Sequence, residues 1–396
     1  MGRAGQDRGW PLVATCTRGL EEVLRGELLA LGHGEATAGR GVVTFRGGHD
    51  EVYRANLWLR TAMRVLRQLA EGPAGDRDSL YRLARAVAWD ELMTPGQTLA
   101  VEPAGRSEAF RSTAFAALTV KDAVVDSLRE AWGFRPNVER NDPDLRIHLH
   151  LAGERAGIAA DSSGEPLSHR GYRPRGGPAP LSETLAAGVL LIAGYDGTRH
   201  LVDPMAGTGT VAIEAALIAT GTPPGWRRTF ACERWPQHDA ARLAALREAA
   251  SRQRRAAPAT IVAGDSDPRA VAAIRRNLKE AGVADAVVVE ARDARELRLP
   301  GPGAMIVTNP PYGERLGDAA ELASLYRSFG DALKRRAAGC EAWLLVGNPV
   351  LAKAVGLRPT RRVVLFNGPI ECRLLRYDLY EGGRGPAKKA AATPHG

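Results

Sequence analysis

The chain has 396 residues, 44% hydrophobic and 25% charged, with a formal net charge of +9. That length suits two or three domains, each with its own core, and no uninterrupted apolar run of about 18 residues offers a membrane-spanning helix. Residues 1–10 lack the apolar stretch of a secretory signal, and Cys16, Cys232, Cys340 and Cys372 are too scattered for a disulfide framework or a zinc site, so the expectation is a cytoplasmic protein with buried free thiols.

Charge divides unevenly along the chain. Positions 1–178 carry 24 Lys or Arg against 23 Asp or Glu, whereas the remainder carries 30 against 22. A polyanionic partner such as nucleic acid accounts for the excess, and so does an Arg-rich solvated surface.

In chain order, residues 12–15 read as a strand and Leu20, Leu24 and Leu28 repeat at helical spacing. A strand over 41–45 follows, then a helix over 50–69 with Val52, Leu57, Leu59, Met63 and Leu66 on its apolar side, which makes a small α+β unit. A second unit begins near Gly72, with helices over 79–87 and 112–132, a strand over 97–103, and a hairpin of 146–151 with 156–161. His148 and His150 share one face of that hairpin, and without further ligands nearby they are expected to face solvent. Residues 168–178 are basic and rich in Gly and Pro. They have a linker's composition, and Arg170, Tyr172, Arg173 and Arg175 are candidates to touch a phosphate backbone.

From residue 179 strands and helices alternate, which predicts a parallel sheet covered by helices. An apolar helix over 181–195 leads to a strand over 200–203, and the chain then turns through Asp203-Pro204-Met205-Ala206-Gly207-Thr208-Gly209 into another helix. Gly207, Gly209 and Ala212 satisfy the loose dinucleotide pattern, but a carboxylate at Asp203 would repel a pyrophosphate and attract a ligand carrying a sulfonium and an ammonium. Asp265 ends the next strand, over 259–265, and is preferred to Glu233 for two ribose hydroxyls. Asp293, after a strand over 287–290, is a candidate for an adenine amino group. A strand over 304–309 ends on Asn309-Pro310-Pro311-Tyr312. Proline holds Asn309 extended, so the Asn309 side-chain oxygen and the Pro310 carbonyl can accept both hydrogens of an exocyclic amine while Tyr312 offers a ring for stacking. An ordinary strand-ending turn is the alternative. Strands over 342–346, 362–366 and 374–379 complete the sheet with an antiparallel end, and a tail from 382 is expected to be disordered.

With the stretches 203–210 and 309–316 both present, the chain resembles THUMP-domain class I S-adenosylmethionine-dependent RNA methyltransferases. Among these it is most similar to the bacterial guanine-N2 methyltransferases of large-subunit (23S) rRNA. The resemblance spans about residues 10–382, including Thr15-Cys16-Thr17-Arg18-Gly19-Leu20-Glu21 and Asn367-Gly368-Pro369-Ile370-Glu371-Cys372. It implies an α/β fold in which a Rossmann-like methyltransferase domain follows an α+β ferredoxin-like and THUMP RNA-binding region. The expected boundaries are 1–70 (ferredoxin-like), 71–165 (THUMP), 166–178 (basic linker), 179–382 (methyltransferase) and 383–396 (tail). It further implies that Asp203, Ala206, Gly207, Thr208, Gly209, Asp265, Asp293 and Asn309 hold S-adenosylmethionine and that Asn309, Pro310 and Tyr312 serve catalysis, with no metal and RNA as partner. Relatives with a second methyltransferase domain are longer, so one methylation activity is expected. A tRNA guanine-N2 methyltransferase, a non-catalytic RNA-binding protein and a Rossmann oxidoreductase are the alternatives, and the Asn-Pro-Pro-Tyr tetrad also occurs in DNA adenine methylases.

Overall fold

The computed structural model describes residues 9–174, 181–312 and 319–380. Contacts divide it into two compact units. The first holds the described residues through 173 together with 183–188 and 221–254, and the second holds 174, 181–182, 189–220 and the described chain from 255 onward. The expected tail lies outside the described residues.

The first unit runs β1 (Trp10–Cys16), α1 (Glu21–Ala30), β2 (Thr37–Gly39), β3 (Val42–Gly47), α2 (His49–Trp58), β4 (Ala62–Pro73), α3 (Arg77–Arg85), β5 (Thr98–Arg106), α4 (Thr113–Trp132), β6 (Asn137–Val138), β7 (Leu145–Ala152) and β8 (Arg155–Asp161). These strands form one sheet in the order β2-β3-β1-β4-β8-β7-β5-β6. The 12-residue β4 joins its two halves, pairing antiparallel with β1 over Ala62 to Arg67 and with β8 from Leu66 to Pro73. Ser112 caps α4 by accepting the Phe115 N–H at 3.2 Å, which starts the helix where the sequence predicts.

Two expectations for this unit are corrected. The helix expected over 50–69 stops at Trp58, and 62–69 is strand. Glu27 of α1 receives the Arg60 N–H at 2.7 Å, the Thr61 N–H at 3.0 Å and the Thr61 hydroxyl, so a carboxylate from far back in the chain fixes the turn that ends α2. The histidines also differ from each other. His150 is exposed, but His148 is half-buried with Nε2 3.3 Å from the buried Asp161 carboxylate.

The chain continues with α5 (Glu183–Ile192), β9 (Leu201–Asp203), α6 (Thr210–Ala219) and α7 (Ala240–Arg252), the last belonging to the first unit. Then follow β10 (Ile261–Asp265), α8 (Pro268–Ala281), β11 (Val287–Ala291), β12 (Met305–Thr308), α9 (Ala319–Arg336), β13 (Glu341–Val346), α10 (Pro349–Ala354), β14 (Arg361–Asn367) and β15 (Ile370–Asp378). The second unit's sheet has the order β11-β10-β9-β12-β13-β15-β14, parallel from β11 to β13 and antiparallel at β15. Short apolar strands buried on both faces are what such a sheet requires, and Val202, Val262, Ile306 and Leu344 share a core with Tyr326 and Phe329 of α9. The fold class is the α/β Rossmann-like domain preceded by an α+β region that the sequence implies.

All four cysteines are free and buried. Among the described residues no helix is long and apolar enough to cross a membrane, and no cluster of His, Cys, Asp or Glu could hold a metal.

Candidate active site

The strand order creates the site. From β9 the chain builds outward through β10 to β11, then returns to the other side of β9 as β12. Ligands in open α/β sheets sit beyond the carboxyl ends of strands at such a reversal, because the connections diverge there and leave a crevice. Asp203 ends β9, Asp265 ends β10, and Asn309 follows β12 directly.

Asp203 is 1% exposed. Its Oδ1 accepts the Thr308 hydroxyl at 2.7 Å and the Met205 N–H at 3.4 Å. Burial pushes its pKa up to about 7 against these two donors, and the charge of Asp265 adds to the rise. A carboxyl group so placed gains most from a cationic ligand.

The turn after Asp203 is held from three sides. Ala206, itself buried, donates its N–H to the Gly264 carbonyl at 2.9 Å. Gly207 donates its N–H to Asp265 Oδ2 at 2.9 Å, and the other Asp265 oxygen takes the Asp267 N–H at 2.9 Å. The Thr208 carbonyl accepts from Asn277 Nδ2 of α8 at 2.9 Å, and the Thr208 hydroxyl lies 3.4 Å from that of Thr210. Gly207 has φ +56°, and a Cβ built there meets no atom within 4 Å, so the open side of the turn can receive a ligand against bare backbone. At Gly209, φ +85°, an added Cβ would come within 3.2 Å of Ile274, so this second glycine lets α8 pack under the turn. A turn with open backbone, flanked by two carboxylates on neighbouring strand ends, suits a ligand with a cationic end and a vicinal diol.

Asp293 follows β11 and is half-buried. Its carboxylate accepts the Arg295 N–H and pairs with the Arg295 side chain at 2.5 Å, and that side chain holds it below the usual carboxylate range. It lines a small pocket with Val202, Pro204, Gly264, Glu290 and Leu297. Glu233 is engaged elsewhere, with the Phe230 N–H at 2.8 Å and Arg247 at 2.9 Å, in the first unit.

In the tetrad, Asn309 is half-buried and Pro310 buried. The Tyr312 hydroxyl donates to Asn309 Oδ1, and burial pushes the Tyr312 pKa up. Its ring packs so closely that a Cβ on Gly347 would lie 3.0 Å from it, and the Tyr326 hydroxyl holds the Pro311 carbonyl at 3.2 Å. The expected stacking ring is thus tucked against β13's end and bonded to Asn309.

The expected RNA-contacting linker is corrected. Arg170 is 5% exposed, giving its guanidinium to the carbonyls of Leu167 at 2.6 Å and Arg60 at 2.5 Å. Tyr172 is 3% exposed, and Arg173 pairs with the buried Glu183 at 2.6 Å. Arg170 and Arg173 thus fasten the first unit internally. Arg175 lies outside the described residues. Sequence reasoning also missed Thr308 and Asn277. Asn277 did leave a signal, because it stands among Val271, Ile274, Leu278 and Ala281 on the buried stripe of α8, where a polar residue needs a reason.

A family model described as "RMKL-like, methyltransferase domain" matches residues 170–376. The chain belongs to that family. Models for the RlmL ferredoxin-like domain and the THUMP domain match residues 11–66 and 74–161 of this family member. A relative from Syntrophotalea carbinolica named ribosomal RNA large subunit methyltransferase K/L is 42% identical over 380 residues, covering 93% of this chain and 53% of its own. The chain therefore spans about half the length of the curated relatives it matches. Among solved structures, SMU.472, crystallised in complex with SAH, superposes with TM-score 0.87 at 28% identity, covering 96% of this chain and 100% of that one. A Listeria monocytogenes protein described as a predicted N6-adenine-specific DNA methylase gives 0.86 at 28% identity, covering 93% and 96%.

Proposed function

We propose that this chain transfers a methyl group from S-adenosylmethionine to the exocyclic N2 of a guanine in large-subunit (23S) rRNA, as a cytoplasmic enzyme. The observation that carries the reading is the meeting of Asp203, the open Gly207 turn, Asp265 and Asn309 at one strand reversal. That the relatives are named for ribosomal RNA supports the choice of rRNA over tRNA. In this reading residues 1–70 and 71–165 are the ferredoxin-like and THUMP domains, the latter binding RNA, and 179–382 is the methyltransferase domain.

When bound, S-adenosylmethionine supplies an electrophilic methyl group. Asp203 would take its ammonium, the backbone of Gly207 and Gly209 together with Ala206 and Thr208 would line its methionine part, Asp265 would take the ribose hydroxyls and Asp293 the adenine amine. Asn309 Oδ1 and the Pro310 carbonyl hold the two hydrogens of the guanine amine, which keeps its lone pair out of the ring and aimed at the methyl group; as that group moved from sulfur to nitrogen, one amine hydrogen would be lost as a proton to solvent and the thioether S-adenosylhomocysteine would be left behind. Asn309 Oδ1 has two lone pairs, so it accepts from the Tyr312 hydroxyl and from the amine together.

An adenine N6 in DNA offers the same pair of hydrogens, and the name of the Listeria protein makes that the second reading. The test is tritiated-methyl transfer by the full chain onto protein-free rRNA, tRNA and DNA, with mass spectrometry of the product nucleosides. N2-methylguanine in rRNA is expected. Methyladenine, or DNA as the best acceptor, would overturn the reading.

A further inference from the structure

The ladder between β9 and β12 pairs Met305 with Leu201 and Ile306 with Val202, and goes no further. Asp203 and Thr308 lie beyond it, at strand ends that the main chain no longer fastens together. The 2.7 Å bond from Thr308 Oγ1 to Asp203 Oδ1 crosses that gap, with both residues 1% exposed. Thr308 is covalently joined to Asn309. We propose that Thr308 is a positioning residue whose hydroxyl fastens the Asp203 carboxyl to the strand carrying Asn309, so that whatever engages Asp203 also sets the place of the base acceptor. What engages Asp203 rests on the methyltransferase reading, but the tie does not.

The chemistry of the strand favours this role over simple filling of space. Met305, Ile306 and Val307 are all 0% exposed, and a valine at 308 would fill the same volume without needing a hydrogen-bond acceptor. The hydroxyl that is present has a carboxyl oxygen as its partner, which makes the bond stronger and more directional than one to a neutral acceptor whenever Asp203 is ionised. The groups that bear on Asp203 come from three elements: Thr308 from β12, the Met205 N–H from its own turn, and the like charge of Asp265 at the end of β10. Thr308 is thus one of only two donors described there, and the other is long.

The experiment is a pH titration of the free full chain labelled with 13C at aspartate carboxyls, the Asp203 resonance being identified by its loss in Asp203→Asn. In Thr308→Val the Asp203 midpoint should rise by about one pH unit, the scale of one lost hydroxyl donor. Thr308→Ser should return it, and Thr308→Ala repeats the test if the valine variant folds poorly. Calorimetry at pH 6, where a one-unit rise in the midpoint cuts the ionised fraction about tenfold, should show S-adenosylmethionine bound roughly tenfold more weakly by Thr308→Val, and turnover at saturating cofactor should also fall, with both restored in Thr308→Ser. A filler role lowers the melting temperature but leaves midpoint and affinity alone, and that result would overturn the proposal. A shifted midpoint in a chain whose wild type does not bind S-adenosylmethionine supports the tie and removes the methyltransferase reading instead.

Discussion

Asp161 in the first unit and Asp203 in the second are equally buried, at 0% and 1% exposure, yet their surroundings drive them in opposite directions. Burial works to raise both. At Asp161 the His148 side chain, the Arg64 guanidinium at 2.5 Å and the Ser163 N–H at 2.8 Å outweigh it and hold the carboxyl below its usual range. At Asp203 no cation among the described residues bears on the carboxyl, and one hydroxyl with one long N–H leaves burial dominant. A buried charge already paired by the protein is part of the fold. One left short of compensation at a strand end is where a ligand completes the electrostatics.

The largest expected effect breaks the compensated member of the pair. Asp161→Ala strands Arg64 beside a buried space and should lower stability by about 3–5 kcal/mol, read by denaturant unfolding. Loss of less than about 1 kcal/mol would show that Asp161 is not the structural anchor described. Next in size, Asn309→Ala should reduce turnover by a factor on the order of 10² to 10³ with cofactor affinity unchanged, the scale for one positioned polar contact to a transition state. Turnover near wild type would remove Asn309 from the chemistry.

The third prediction follows from the sign of the two shifts. Asp161 has a depressed folded pKa, so its contribution to stability is present above the usual carboxylate value of 3.8 and is lost as pH falls through the folded one. Asp203 is raised to about 7, so between 3.8 and 7 the folded chain keeps a proton that the unfolded chain releases, and stability falls as pH rises across that window. Asp203→Asn should therefore melt higher than wild type at pH 7 and no higher near pH 3.5. The same protonation opposes a cationic ligand, so S-adenosylmethionine affinity should be flat above pH 7 and weaken about tenfold per unit below it. Identical melting differences at both pH values would contradict the raised pKa. The smallest effect separates the two histidines: His148→Ala should destabilise by about 1 kcal/mol through Asp161, while exposed His150→Ala stays within about 0.5 kcal/mol. Equal losses would mean that the His148 contact with Asp161 contributes nothing.

Much of the second unit was legible because its signals are local. Apolar runs at 200–203, 259–265 and 304–309 became β9, β10 and β12, and Asp267-Pro268 opens α8 with the Asp267 side chain accepting the Arg269 N–H at 2.8 Å. Asp203, Asp265 and Asn309 stood out as polar residues ending apolar strands, and the strand order brings those ends side by side. What the sequence concealed depends on distant partners. The helical spacing of Met63 and Leu66 gives no hint that Glu27 closes the turn before them, and the basic composition of 168–178 does not reveal that Arg170 points into carbonyls of the protein itself. Thr308 looked like one more β-branched residue in a strand, because only the fold shows that its hydroxyl faces a carboxyl group 105 positions away.

β4 ends as a seam that cannot be unpicked. Leu66 and Arg67 are hydrogen-bonded to β1 on one side and β8 on the other, so the regions matched by the ferredoxin-like and THUMP models, 11–66 and 74–161, share a strand rather than a hinge. Severing the chain near residue 70 would leave each fragment with a raw sheet edge, the kind of surface that recruits strangers. The two modules should accordingly melt, exchange their amides and be transplanted as a single piece, and an isolated THUMP fragment of this chain should precipitate where the joined pair stays dispersed.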